Sequence, residues 1–228
     1  MPRSSALQVT LAVAAKDLAI ELRTKTAFVS SLVFAVLVLA VLYFARDKTV
    51  VSDLDVAPGA LWVTITFAGM LGLNRAFLLE RENRALDGLR LTSASPAAIF
   101  IGKVLGNLVF LGVVELVALP LFILFYDVPF WRQLPGLLLV MALASVGFVA
   151  VGTLLSAMVV RTRYSEVMLP VLLLPFLVPP IVAAVQVTRV LLALRPLSEA
   201  LGWLRLLAGF DIIFFALSVL LFEAILVE

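Results

Sequence analysis

Few side chains in this chain are able to do chemistry. It has no histidine and no cysteine. That removes imidazole acid–base work, thiolate nucleophiles, disulfides, zinc sites and histidine-ligated haem within the chain. Five methionines, Met1, Met70, Met141, Met158 and Met168, are soft ligands in principle but stand scattered. Carboxylates remain. Glu115, Asp211 and Glu223 stand singly inside long apolar runs, and Glu80, Glu82 and Asp87 stand among arginines. Catalysis needs a nucleophile beside a base, or two carboxyls at one place, and isolated carboxylates assemble neither. No Gly-x-x-x-x-Gly-Lys-Ser/Thr loop is present to cradle a phosphate. An enzyme is therefore not expected, and any ATP chemistry belongs to another chain.

Glu115 is the most demanding of these residues. An ionised group at the middle of a bilayer costs about 2.5–3.5 kcal/mol on insertion scales. It must face protein or water, or carry a proton. Two roles fit: a pathway or switch residue, or a buried hydrogen bond to a neighbouring helix, with Asn107 close by. Asp211 and Glu223 are expected near the two ends of the last apolar run. Arg205 precedes Asp211 by six residues, which is not one helical face.

These positions need lipid-embedded elements. The chain has 228 residues, 64% hydrophobic and 14% charged, with a mean hydropathy of +1.19. Soluble domains are about 45–50% apolar and about 25% charged. A chain of this size cannot hide so much apolar surface from water. Soluble enzymes, nucleic-acid-binding modules and disordered tails are excluded. A bilayer core of about 30 Å takes about 20 apolar residues per helix. Six runs meet that length: 27–45, 56–73, 99–126, 134–160, 167–187 and 206–227. The first is too long for a signal-peptide core and is read as an uncleaved helix. The second enters through Ala57-Pro58-Gly59, where proline suits a first helical turn. Pro170, Pro175, Pro179 and Pro180 are expected to kink the fifth, which then lines a cavity or hinges. Continuous runs without alternation exclude a β-barrel. No strong internal repeat supports an inverted-repeat carrier. The expected fold is one all-α transmembrane domain, 1–228.

Lysines and arginines set the orientation. The N-terminal segment and the loops after the second and fourth runs hold eleven; the remaining segments hold six. The first side is expected in the cytoplasm, with both termini there.

Three segments are expected not to span. Residues 5–25 place Leu7, Leu11, Ala14, Leu18 and Leu22 on one stripe, with Ser4 or Ser5 able to cap the start. Such a helix lies in the inner interface; a short extension of the first span is the alternative. Residues 80–96 begin with crowded charges and continue with Leu86, Leu89 and Leu91, then end at Pro96. A short cytosolic helix follows. Its acidic residues suit a protein partner better than anionic lipid, although an ordinary charged loop tiling the membrane surface has the same composition. Residues 188–204 are too charged to span and too apolar for a free loop. They are expected to form short helices at the outer interface, with Trp203 at headgroup level.

This layout resembles the permease of type-2 ABC exporters. Closer still, Ala57-Pro58-Gly59 before Leu61-Trp62-Val63, Leu86-Asp87-x-Leu89-x-Leu91 leading to Ile101-Gly102-Lys103, and the proline-rich 169–180 resemble the permeases of cytochrome c maturation haem exporters. Where that family has a glycine just before the Leu-Asp pair, Arg84 stands here. The resemblance covers nearly the whole chain. It implies a bacterial inner-membrane protein that binds no cofactor itself. It implies four partners: a separate ABC ATPase, a haem-handling membrane protein, a small membrane protein and, indirectly, a haem chaperone. A second permease copy is implied too. ATP would be bound on the partner, and haem handled by the complex. Coupling to the ATPase is then expected at Glu80, Arg81, Glu82, Leu86, Asp87 and Leu89. Glu115, Pro175, Pro179 and Pro180 are the pathway or inter-helix candidates. The alternatives are another type-2 exporter's permease, or a nucleotide-independent carrier or scaffold.

Overall fold

The computed structural model describes residues 5–47, 50, 52–82, 94–127, 132–159, 162 and 165–227; for 75–82, 165–166 and 226–227 it describes the backbone alone. The described residues are helical apart from turns. Among the described residues seven α-helices follow one another: α1 (Ala6–Thr24), α2 (Thr26–Phe44), α3 (Asp53–Glu82), α4 (Pro96–Tyr126), α5 (Leu134–Val159), α6 (Ser165–Leu192) and α7 (Leu201–Val227). Six of them, α2 to α7, carry stretches long and apolar enough to cross a bilayer.

Local signals account for the helix ends. Ser5 caps α1 in a reciprocal box: Gln8 N–H donates to Ser5 Oγ at 3.3 Å, and Ser5 N–H donates to Gln8 Oε1 at 3.0 Å. Lys25 takes a left-handed conformation (φ 54°) and turns the chain from α1 into α2. Glu21 then accepts Phe28 N–H at 2.8 Å, satisfying one of the donors that the start of α2 leaves open. Ser52 caps α3, accepting Asp55 N–H at 3.3 Å. Asp53 and Asp55 in its first turn suit the positive end of the helix dipole. Ser95 caps α4, and Pro96 takes the first position, where its missing N–H costs nothing.

Three boundaries differ from the sequence reading. The second span begins at Asp53, before Pro58, because Ser52 already supplies a cap. Pro96 opens α4, where the sequence reading has it end the preceding segment; residues 83–93 lie outside the described residues. The outer segment 188–204 holds one short helix of its own, the 3-10 helix Leu197–Ala200; on either side of it α6 continues to Leu192 and α7 starts at Leu201. Arg205 therefore stands in the second turn of α7, exposed, where its long stem lets the charge reach the surface.

α3 and α5 form the centre of the bundle, with 72% of each spanning window buried, against 22% for α2 at the edge. α5 packs against α4, α6 and α7, while α3 lies among α2, α4 and α6. Leu61, Trp62, Leu111, Phe122, Leu173 and Leu177 fill the space between them. α1 crosses the N-terminal half of α4. It presents Thr10, Val13 and Ala14 to α4, while Leu7, Leu11 and Leu22 of the leucine stripe point outward. Thr10 Oγ1 donates to the Ala98 carbonyl at 3.1 Å, and Asp17 approaches Lys103 Nζ at 3.8 Å. At the opposite end of α4, Arg46 lies over the rings of Tyr43 and Tyr126, 5.0 and 5.3 Å from their centroids, and pairs with Asp53. All four prolines of α6 lie within one continuous helix.

Candidate functional site: a polar ladder between α4 and α5

The α4–α5 contact carries polar side chains at helical spacing. On α4 they are Asn107 and Glu115; on α5 they are Ser145 and Thr153. Asn107 Nδ2 donates to Thr153 Oγ1 at 3.0 Å, and Ser145 Oγ donates to Glu115 Oε1 at 2.6 Å. The helices run antiparallel, so eight residues forward on α4 correspond to eight residues back on α5. Leu111 and Val149, both buried, fill the intervening step. Two inter-helix hydrogen bonds thus flank an apolar rung. In lipid, such bonds add about 0.6 kcal/mol each on average, up to about 1.7.

Glu115 sits between two spaces of different character. Ser145, its partner, lines a small inner cavity of about 20 Å³ with Trp62, Thr66, Leu177 and Pro180. Glu115 and Ser145 also line a larger cleft of about 390 Å³, open at the side of the bundle, with Leu116 and Leu138 at its rim. The inner cavity is at the lower limit for one water molecule. Beside it, Trp62 Nε1 donates to Thr188 Oγ1 at 2.9 Å, tying α3 to α6.

A second carboxylate reaches α5 from the other side. Asp211 is buried against Gly147, two residues beyond Ser145 and hence on the opposite face of that helix. A Cβ added at Gly147 would lie 2.4 Å from Asp211 Oδ1. Glycine is required there by close approach, not by backbone conformation. Asp211 is the eleventh residue of α7, well inside the helix, so its expected place near the end is corrected. Among the described residues it forms no ion pair with Arg205. Glu223 lies exposed near the other end.

The other sequence candidates distribute as follows. Pro180 is buried at the inner cavity, whereas Pro175 and Pro179 face outward. Glu80, Arg81 and Glu82 are the last residues of α3, continuous with the second span. Leu86, Asp87 and Leu89 lie outside the described residues. Glu115 bonds to Ser145, not to Asn107. Ser145, Thr153, Thr188 and the Asp211–Gly147 contact were not singled out from the sequence. Asn107 and Glu115, eight residues apart on one helix, were legible as polar residues in an apolar run; the hydroxyls that answer them were not.

A family model described as CcmB protein matches residues 8–227, nearly the entire chain. The chain belongs to the CcmB family. Curated relatives of this CcmB family member include Heme exporter protein B of Rhodobacter capsulatus, 27% identical over 182 residues, covering 78% of this chain and 81% of that protein. Another is Heme exporter protein B of Pseudomonas aeruginosa, 26% identical over 195 residues, covering 86% of this chain and 87% of that protein. The family and the six apolar helices make the protein a multi-pass membrane protein.

Proposed function

We propose that this CcmB family member is the transmembrane permease of a haem-export ABC transporter in a bacterial cytoplasmic membrane. In this reading ATP hydrolysis on a separate ATPase is coupled to haem delivery, or to release of a haem-loaded chaperone. The relatives' names support the transporter class and the cargo. The observation that carries the coupling is the length of α3. Its apolar run gives way to Asn74-Arg75 in the sequence, but the helix continues to Glu82. Eight further residues at 1.5 Å rise extend a rigid rod by about 12 Å. The rod ends in Glu80-Arg81-Glu82 and leads directly to Leu86-Asp87-x-Leu89. A continuous helix moves as one body, so force applied at its charged end reaches Trp62 and Thr66 beside the inner cavity. The basic residues crowd that end, which orients it and both termini to the cytoplasm. α1 then lies in the inner interface, its outward leucines in the acyl region.

Without histidine or cysteine the chain offers haem no strong axial ligand. Ligation belongs to the haem-handling membrane protein and the chaperone, with a small membrane protein completing the complex. This chain transmits movement or forms a wall, and a second permease copy completes the transporter. The test is a complex purified with its ATPase. Asp87→Arg or Leu89→Glu is expected to lower haem-dependent ATP turnover and c-type cytochrome yield at least tenfold, with chain abundance unchanged. Normal turnover in both variants rejects the coupling segment. Haem release without any ATPase rejects the permease reading in favour of a nucleotide-independent carrier.

A further inference from the structure

The cleft between α4 and α5 opens to the side of the bundle, where a membrane protein meets acyl chains or another helix. Its walls are apolar: Leu108, Leu116, Leu119, Leu138 and Met141. Leu116 and Leu138 are 69% and 49% exposed. At its base lies Glu115, only 7% exposed. Ser145 occupies Oε1, and among the described residues no hydrogen bond reaches Oε2. An acyl chain neither donates nor accepts, so lipid in this cleft leaves a carboxyl oxygen unsatisfied at mid-membrane depth. Gly112, on the same wall, has nothing within 4 Å of the position a Cβ would take, and Ala142 also lines the cleft. Small residues there let a backbone approach closely.

We propose that this cleft receives a transmembrane helix of a different membrane protein of the complex, which presents a hydroxyl or primary-amide side chain to Glu115 Oε2. Those groups donate and accept, so they satisfy the carboxyl whether or not it carries a proton. A lysine or arginine would suit only the ionised carboxylate and would bring a second charge to mid-bilayer. A second copy of this chain does not fit. A two-fold contact on this cleft sets Glu115 against Glu115, which satisfy each other only by sharing a proton, and a head-to-tail contact need not close. The inference rests on the proposed reading that this chain works in a complex with other membrane proteins, but not on the cargo or the ATPase.

The test uses the complex purified from its native membranes. A photo-crosslinking amino acid replaces Leu116, and adducts are sequenced by mass spectrometry. The expected adduct joins a helix of another protein of the complex that carries Ser, Thr, Asn or Gln within one turn of the cross-link. Gly112→Leu is expected to lower that adduct, and co-recovery of that partner, at least tenfold. Gly209→Leu, equally open but on α7, is expected to change neither. Glu115→Leu keeps the groove open and removes the acceptor; it is expected to lower co-recovery at least threefold, with no further loss when the partner's hydroxyl or amide is also removed. Adducts with lipid only, with a second copy of this chain, or with a helix lacking such side chains overturn the proposal. So does an unchanged adduct in Gly112→Leu that inserts at normal abundance.

Discussion

Replacing Gly102 with alanine is expected to lift α1 off α4 without unfolding either helix. A Cβ at Gly102 would lie 2.7 Å from the Thr10 carbonyl oxygen and 2.8 Å from Val13 Cβ. Both obstacles belong to the backbone of α1 or sit next to it, so no side-chain rotation relieves them. Reaching an ordinary contact of about 3.4 Å requires α1 to retreat by about 0.7 Å. The hydrogen bond from Thr10 to Ala98, 3.1 Å at rest, then stretches beyond useful length. Overpacking of this kind costs about 1–3 kcal/mol, and the lost inter-helix bond adds about 0.6. Alanine also favours α4 as a helix, by up to about 1 kcal/mol. That gain is the same whether α1 is docked or not, so it leaves the docking equilibrium alone. A net loss of about 2 kcal/mol shifts that equilibrium about 30-fold. The chain has no cysteine, so Ala14→Cys supplies a single thiol at a site buried under α4. In nanodiscs its maleimide labelling is expected to quicken about 30-fold in Gly102→Ala. Gly112→Ala, where a Cβ meets nothing, should leave the rate unchanged. Equal labelling in Gly102→Ala and the parent would refute the packing argument.

Three further outcomes follow from the ladder and its surroundings. Ser145→Ala is expected to destabilise the bundle by about 0.6–1.7 kcal/mol in reversible mixed-micelle unfolding, and by almost nothing in a Glu115→Leu background, because the 2.6 Å bond is already gone. Gly147→Ala forces a methyl onto Asp211 Oδ1 and is expected to cost about 1–3 kcal/mol by the same assay; Asp211→Ala should recover part of it, since Phe210 crowds the same position at 2.9 Å. Trp62→Phe leaves Thr188 without its indole donor and removes the pyrrole part of a buried ring; it is expected to cost about 1 kcal/mol for the bond plus a cavity cost, read as a lower melting temperature in detergent.

The six spans were legible because lipid selects composition locally. A run of about 20 apolar residues announces itself without reference to any other part of the chain. The cap at Ser5 was equally local, defined by four consecutive residues; Ser95-Pro96 was just as local, yet it was read as an end where it is a start. Errors arose where a charge was read as a boundary. Arg205 pushed the expected start of the last span to Leu206, yet α7 begins at Leu201. Asp211 consequently looked like an end residue while it lies deep against Gly147. Glu115 was recognisable as a costly residue in need of a partner. Which residue answers it was not, since a serine in an apolar helix carries no mark of the helix it will face. Asn107, the neighbour on its own helix, was the nearest guess, but it points at Thr153. The sequence alone determined that the chain lives in lipid, how often it crosses, and which groups would be expensive there. Only the tertiary structure decided which helices meet and in what register. A hydrogen bond across two spans depends on the depth and rotation of both, and neither quantity is written in either span by itself.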